Sequence, residues 1–197
     1  ILPSLSFLNK LPNKKTDLQK PSAAVTVNKT VIYLVDVPKA AQTEFRIGKV
    51  TDLKYDATGE YYKAGFVNYV FGGNFNSRIN INLREDKGWT YGARSSFSGD
   101  HYTGDFTFSS GIRADATDSA LTEFVKEIRN FTEKGVTQEE LKFLKNALGQ
   151  RDALLYETDA KKAGFIGRIL EYNLPDNFVD TQNQILRDMT KNELDAL

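Results

Sequence analysis

The sequence predicts an α+β domain in which an antiparallel or mixed sheet is packed on one face by several helices. Two observations predict it. Strand-like apolar stretches, one hairpin included, occupy much of the first half of the chain between two helical ones, and helical spacing takes over from Thr117 onward. Glycine, proline and capping signals then mark the places where one period gives way to the next.

Residues 1–28 hold three of the five prolines and the Lys-rich patch Asn13-Lys14-Lys15, and follow neither period. They read as a linker that ties residues 29–197, the domain proper, to something N-terminal. Val31 to Val37 is β-branched and apolar and stops at Pro38, which predicts a well-buried strand. Gln42 to Val50 resumes in extended form with Phe45 and Ile47 on one face. Thr58 to Phe71 predicts a helix, with Tyr62, Phe66, Tyr69 and Val70 at helical intervals and Gly72-Gly73 at its C-terminal end. Asn76 or Ser77 is suited to cap a short helix holding Ile79, Leu83 and Arg84, ended by Gly88.

Trp89 to Phe97 alternates Trp, Tyr, Ala, Ser and Phe on one face of a strand. Its expected antiparallel partner is Asp105 to Arg113, where Phe106, Phe108, Ser110 and Ile112 alternate, across a turn at 99–104. Beyond Thr117, the stripe Leu121, Phe124, Val125, Ile128 and Phe131 predicts a helix that closes at Gly135. Thr137 and Glu140 have capping-box spacing inside a Val136/Leu141 hydrophobic staple. The helix they open carries Leu141, Leu144, Leu148 and Leu155 on one side. Glu157 to Tyr172 is again helical and rich in small residues (Ala160, Ala163, Gly164, Gly167) that would permit close packing, before Pro175 breaks it. The same box and staple recur at Met189 to Leu194. Only three residues follow Leu194, whereas helices average ~11–12 residues, so the pattern reads as cut short at the C-terminus.

Composition narrows the chemistry. Hydrophobic residues make up 40% and charged residues 26% of 197, ordinary for a globular protein with a sizeable core. Basic and acidic residues are equal at 26 each, so no positive excess drives nucleic-acid binding. No apolar run approaches the ~20 residues of a membrane span, and Ile1 to Leu8 lacks the basic start of a signal peptide. Without cysteine, disulfides, thiolate catalysis and Cys-ligated zinc are excluded, while the compartment stays open. The single histidine, His101, lies in a turn-like Gly-Asp-His-Tyr-Thr-Gly segment and reads as an exposed turn residue. One imidazole cannot build the multi-histidine zinc centre of most zinc peptidases. No catalytic centre of its own is expected.

The densest segment runs from Phe71 to Gly92. Gly72 and Gly73 allow a sharp turn and close backbone approach, followed by Ser77 and Arg78. The pair is not a phosphate loop, since it lacks the Gly-Lys-Ser/Thr ending and follows a helix. Arg84 on the short helix offers a planar fork of donors, and Tyr91 on the next strand offers a phenolic one. Converging on one point, they suit a peptide carbonyl or a developing oxyanion. On residue chemistry alone, a plain turn with solvated ions stands as the alternative.

Five stretches stand in order along the chain: Val35-Asp36-Val37-Pro38 followed by Gln42, Phe-Gly-Gly-x-Phe-x-Ser-Arg at 71–78, and Leu-Arg-Glu-x-Lys-Gly-x-Thr-Tyr-Gly at 83–92. Val-Thr-x-Glu-Glu-Leu at 136–141 and Tyr-x-Leu-Pro at 172–175 complete them. In these stretches residues from about 30 to 197 resemble the inactive domain of the insulinase-like (M16) zinc metallopeptidases, a domain type shared with the mitochondrial processing peptidase. Trp89 departs from it, an aliphatic residue being commoner there. The resemblance implies one half of a two-part clam around an unfolded peptide. Zinc would be held by His-x-x-Glu-His in a homologous partner half, in the same polypeptide or another subunit, and that motif is absent here. By the same resemblance Arg84 would hold a substrate carbonyl and Tyr91 would help stabilise the tetrahedral intermediate, with Gly72, Gly73, Ser77 and Arg78 as the supporting loop. A bacterial member would suggest a periplasmic or extracytoplasmic home. The competing expectation is a non-enzymatic scaffold or assembly domain of the same fold.

Overall fold

Period-two patterning becomes strand wherever a neighbouring strand is at hand. A computed structural model describes residues 6–7, 9–12, 27–150 and 156–197. In it β1 (Gln42–Thr51), β2 (Thr90–Gly99) and β3 (Gly104–Arg113) form an antiparallel sheet in the order β1–β3–β2. β2 and β3 are the expected hairpin. The Asp100 carboxylate accepts the backbone N–H groups of Tyr102 and Thr103 at 2.7 and 2.9 Å, which closes the turn and lowers the carboxyl's pKa. His101, exposed in that turn, stacks on Tyr172 with ring centroids 4.4 Å apart.

The strand expected at Val31 to Val37 does not form. Ile32 is 78% and Leu34 86% exposed, and β1 pairs with β3 alone among the described residues. A β-branched run buries itself only against a partner strand and a covering layer, and neither meets this one. Most of the expected 1–28 linker lies outside the described residues, as does Leu155.

Helical spacing is borne out with fewer exceptions. The helices are α1 (Glu60–Phe71), α2 (Arg78–Asn80), α3 (Thr117–Lys134), α4 (Gln138–Gly149), α5 (Asp159–Tyr172), α6 (Phe178–Asp188) and α7 (Lys191–Asp195). Both capping boxes are made in full: Thr137 and Thr190 each accept the N–H three residues on, and Glu140 and Glu193 return to the cap backbone. The staple residues Val136, Leu141, Met189 and Leu194 are all buried.

The core has two parts. Phe71, Ile79, Leu83, Ala93, Phe108, Ile112, Ala120 and Phe124 pack between the sheet and the helices. Phe66, Val70, Leu141, Leu144 and Leu186 join the four staple residues in a second, all-helical cluster. Phe131 packs against both. The predicted stripe of α3 is rotated from its true buried line. Ala120 and Phe124 face inward, whereas Leu121, Val125 and Ile128 are 37–39% exposed. Residues one position further on lie about 100° round the helix, beyond the reach of so narrow a sheet. The small residues of α5 meet no close neighbour either: a Cβ at Gly164 or Gly167 would find nothing within 4 Å, and no residue of α5 is buried.

Candidate functional site

The site begins where α1 must pass close to β2. The carbonyl of Gly72 accepts the N–H of Ser95 at 3.0 Å, and a Cβ at Gly72 would overlap the Ser95 side chain. Its φ of −154° is open to any residue, so contact rather than turn geometry demands glycine here. Gly72 and Gly73 both donate to the Asn68 carbonyl, at 2.9 and 2.7 Å. Asn74 then bonds back to the Tyr69 carbonyl and accepts the N–H of Asn76, making residues 72–77 a self-bonded loop.

Ser77 starts α2, but its hydroxyl does not cap it. The residue is 1% exposed and its Oγ has no hydrogen-bond partner among the described residues. Backbone bonds from Ser77 to Asn74 and from Ile81 to Ser77 fix the helix entry instead. Arg78 turns toward α4. Its Nε and Nη2 donate to the two Glu140 oxygens at 2.5 and 2.6 Å, Nη2 also reaches the Gly135 carbonyl at 2.8 Å, and the guanidinium lies over the Phe131 ring.

α2 widens at once into a π-helical turn, Ile81–Asp86, in which the Lys87 N–H reaches the Asn82 carbonyl at 3.1 Å. Ile79 and Leu83 anchor it as fully buried side chains, and Gly88, at φ 65°, ends it. Arg84 is next to the Leu83 anchor. It pairs with Glu85, and its guanidinium carbon sits 4.3 Å over the ring of Phe75. The sequence pattern carries no sign of the π turn, because spacing Ile79 four before Leu83 satisfies an α-helix equally well.

Tyr91 does not share a face with Ala93, contrary to the simple alternation expected of Trp89 to Phe97. Thr90 pairs with Ile112 and Ala93 with Ser110, so β2 spends three steps where β3 spends two. This β-bulge is built by hydroxyls. Thr90 Oγ1 donates to the Gly111 carbonyl at 2.8 Å and accepts the Gly92 N–H at 3.0 Å, while Ser110 Oγ donates to the Gly92 carbonyl at 2.9 Å. Ala93 drops into the core and Tyr91 is thrown out to 92% exposure.

One organising residue escaped the sequence reading. Asn80 is 3% exposed, donates to the Phe75 carbonyl at 2.7 Å and accepts the Ala93 N–H at 2.9 Å. A single amide thus fixes the loop before Arg84 to the strand of Tyr91. Asn80→Ala is expected to cost about 2 kcal/mol, since it strands a buried donor and an acceptor together. Calorimetric melting checks this, and an unchanged transition would mean that the bracket carries no stability.

The described residues offer no zinc site: no three His, Cys, Asp or Glu side chains gather, and His101 is the single imidazole. No described helix is long and apolar enough to cross a membrane.

The sequence profile of the peptidase M16 inactive domain matches residues 4–148, well over half of the chain. The chain belongs to that family. As an M16 inactive domain it is similar to solved structures at the level of fold. The peptidase M16 inactive domain from Pseudomonas fluorescens superposes with a TM-score of 0.70 at 24% identity, covering 80% of this chain and 37% of that one. The inactive peptidase domain of a protein described as a zinc protease, from Bordetella parapertussis, gives 0.62 at 14% identity, covering 80% and 85%. Among curated proteins, "Non-peptidase homolog YmxG" of Helicobacter pylori (strain ATCC 700392 / 26695) is 28% identical over 148 residues, 74% of this chain. The chain spans 33% of that relative's length.

Proposed function

We propose that this M16 inactive domain is the peptide-gripping, non-metal half of a zinc metallopeptidase, with zinc held by a homologous partner half. The observation that carries the proposal is the bulge at Thr90–Ala93, which uses a buried hydroxyl network to present Tyr91 to solvent just after the Arg84 turn. In this reading Arg84 donates to a carbonyl of the bound peptide. Tyr91 donates to the oxygen on which negative charge builds at the cleaved bond. In this reading the chain itself supplies binding and orientation, and the metal belongs to the partner half. The test is peptide cleavage by the complete protein carrying Tyr91→Phe, with zinc content measured alongside. Undiminished turnover would remove Tyr91 from the mechanism.

A second reading, a non-enzymatic assembly domain, is favoured by the name of the Helicobacter pylori relative, "Non-peptidase homolog". It requires that His-x-x-Glu-His be missing from both the parent polypeptide and its partner subunits. Sequencing the complete gene and its co-purifying partners decides between the two.

A further inference from the structure

Phe75 is 59% exposed, on a loop that is otherwise tied down by its own hydrogen bonds. A lone exposed phenylalanine needs no explanation. This one has Arg84 over its ring at 4.3 Å, and its carbonyl is gripped by Asn80, the same side chain that holds Ala93 two residues after Tyr91. The backbone that carries the ring is therefore tied to the Tyr91 strand, and the ring itself lies against Arg84.

Chemistry says what such a ring does. A cation over an aromatic face is held by the ring's quadrupole, and that contact leaves the edge of the guanidinium, where its N–H donors lie, free to bond. Arg84 otherwise has a long flexible stem and one exposed partner, Glu85, a kind of pair that fixes geometry poorly. We propose that Phe75 is a positioning residue, whose ring holds Arg84 in the orientation that meets a peptide carbonyl. This rests on the reading of Arg84 as a carbonyl-gripping group. It also gives the aromatic residue in Phe-Gly-Gly-x-Phe a task that neither the core nor the loop's own bonding requires.

The test is a double-mutant cycle on the complete protein, including its zinc-bearing half. The readout is fluorescence anisotropy of fluorescein-labelled casein peptides, which needs no turnover. Phe75→Leu, which keeps an apolar side chain without a π face, is expected to weaken binding about three- to fivefold. Phe75→Tyr is expected to bind as the parent does, and Phe75→Met, expected to behave as Phe75→Leu does, guards against a folding defect in it. Arg84→Ala weakens binding further, and adding Phe75→Leu to it changes nothing more, because the ring acts through the guanidinium. Equal losses from Phe75→Leu with and without Arg84 would overturn the proposal, as would a neutral Phe75→Leu beside a damaging Arg84→Ala. A neutral Arg84→Ala, or a parent protein that does not bind the peptides, would overturn both this proposal and the carbonyl-gripping reading.

Discussion

Alanine in place of Arg78 is expected to lower the melting temperature of the domain by roughly 6–10 °C, read by calorimetry. Arg78 joins the start of α2 to the start of α4 through both Glu140 oxygens and the Gly135 carbonyl, and it covers Phe131, which packs against both core clusters. The side chains of Arg78 and Glu140 keep 21% and 26% of their exposure. A fully buried pair broken on one side costs about 3–5 kcal/mol, and partial solvation trims this to about 2–3. Glu140 gives the loss a pH signature. Burial pushes its carboxyl pKa up, but the Arg78 bonds and the Thr137 N–H outweigh burial and leave it below the usual glutamate value. A carboxyl whose pKa is depressed by folding stabilises fully above its unfolded value. That stability drains as pH falls through the lower folded value. The parent should therefore lose stability as pH drops below about 4.3, and Arg78→Ala should lose less of it over that range. Parallel pH profiles for the two proteins would show that the pair contributes nothing.

Arg78 also shows what the sequence could and could not reveal. The Thr137/Glu140 box was legible because capping is local, needing only residues three apart. That the same Glu140 would be taken by an arginine on another helix, 62 positions away, was not. Val31 to Val37 failed for a related reason: its composition suits a strand, but a strand needs partners that composition cannot supply. The close backbone approach that the Gly72-Gly73 pair allows is met at both residues, Gly72 against Ser95 and Gly73 against Asn68. Residue type suits Asn76 or Ser77 to the cap, yet the Ser77 hydroxyl has no hydrogen-bond partner among the described residues. As an asparagine in a short helix, Asn80 carries no sign of burial in the sequence, where its side chain suits solvent equally well. Only the approach of Phe75 and Ala93 turns it into a bracket. Arg84 and Tyr91 could be named from the motif. The bulge that aims Tyr91 depends on Thr90, Gly92, Ser110 and Gly111 meeting across two strands, and no single-strand alternation contains that information.

Tyr91→Phe in the complete, zinc-loaded protein is expected to lower kcat roughly 100-fold, the usual cost of one oxyanion donor, with KM nearly unchanged. Tyr91 is 92% exposed, so the substitution removes an oxygen from water and disturbs no packing. The melting temperature should stay within about 2 °C of the parent, as for other surface changes. In the isolated domain the phenol is solvated, where one hydrogen bond is worth little. On the proposed reading, its donor would gain strength when a partner half closes over the peptide and excludes water, and then chiefly toward the charge that develops during reaction. That is why the loss belongs in kcat. A loss confined to KM would instead make Tyr91 a ground-state contact, a grip on the peptide like that proposed for Arg84. Arg78→Ala is the natural counterpart, since it should destabilise the fold while leaving this chemistry intact in whatever fraction stays folded. If the two variants instead fail together, in stability and in turnover, the exposed phenol is part of the framework, and the bulge at Thr90 serves the fold rather than the substrate.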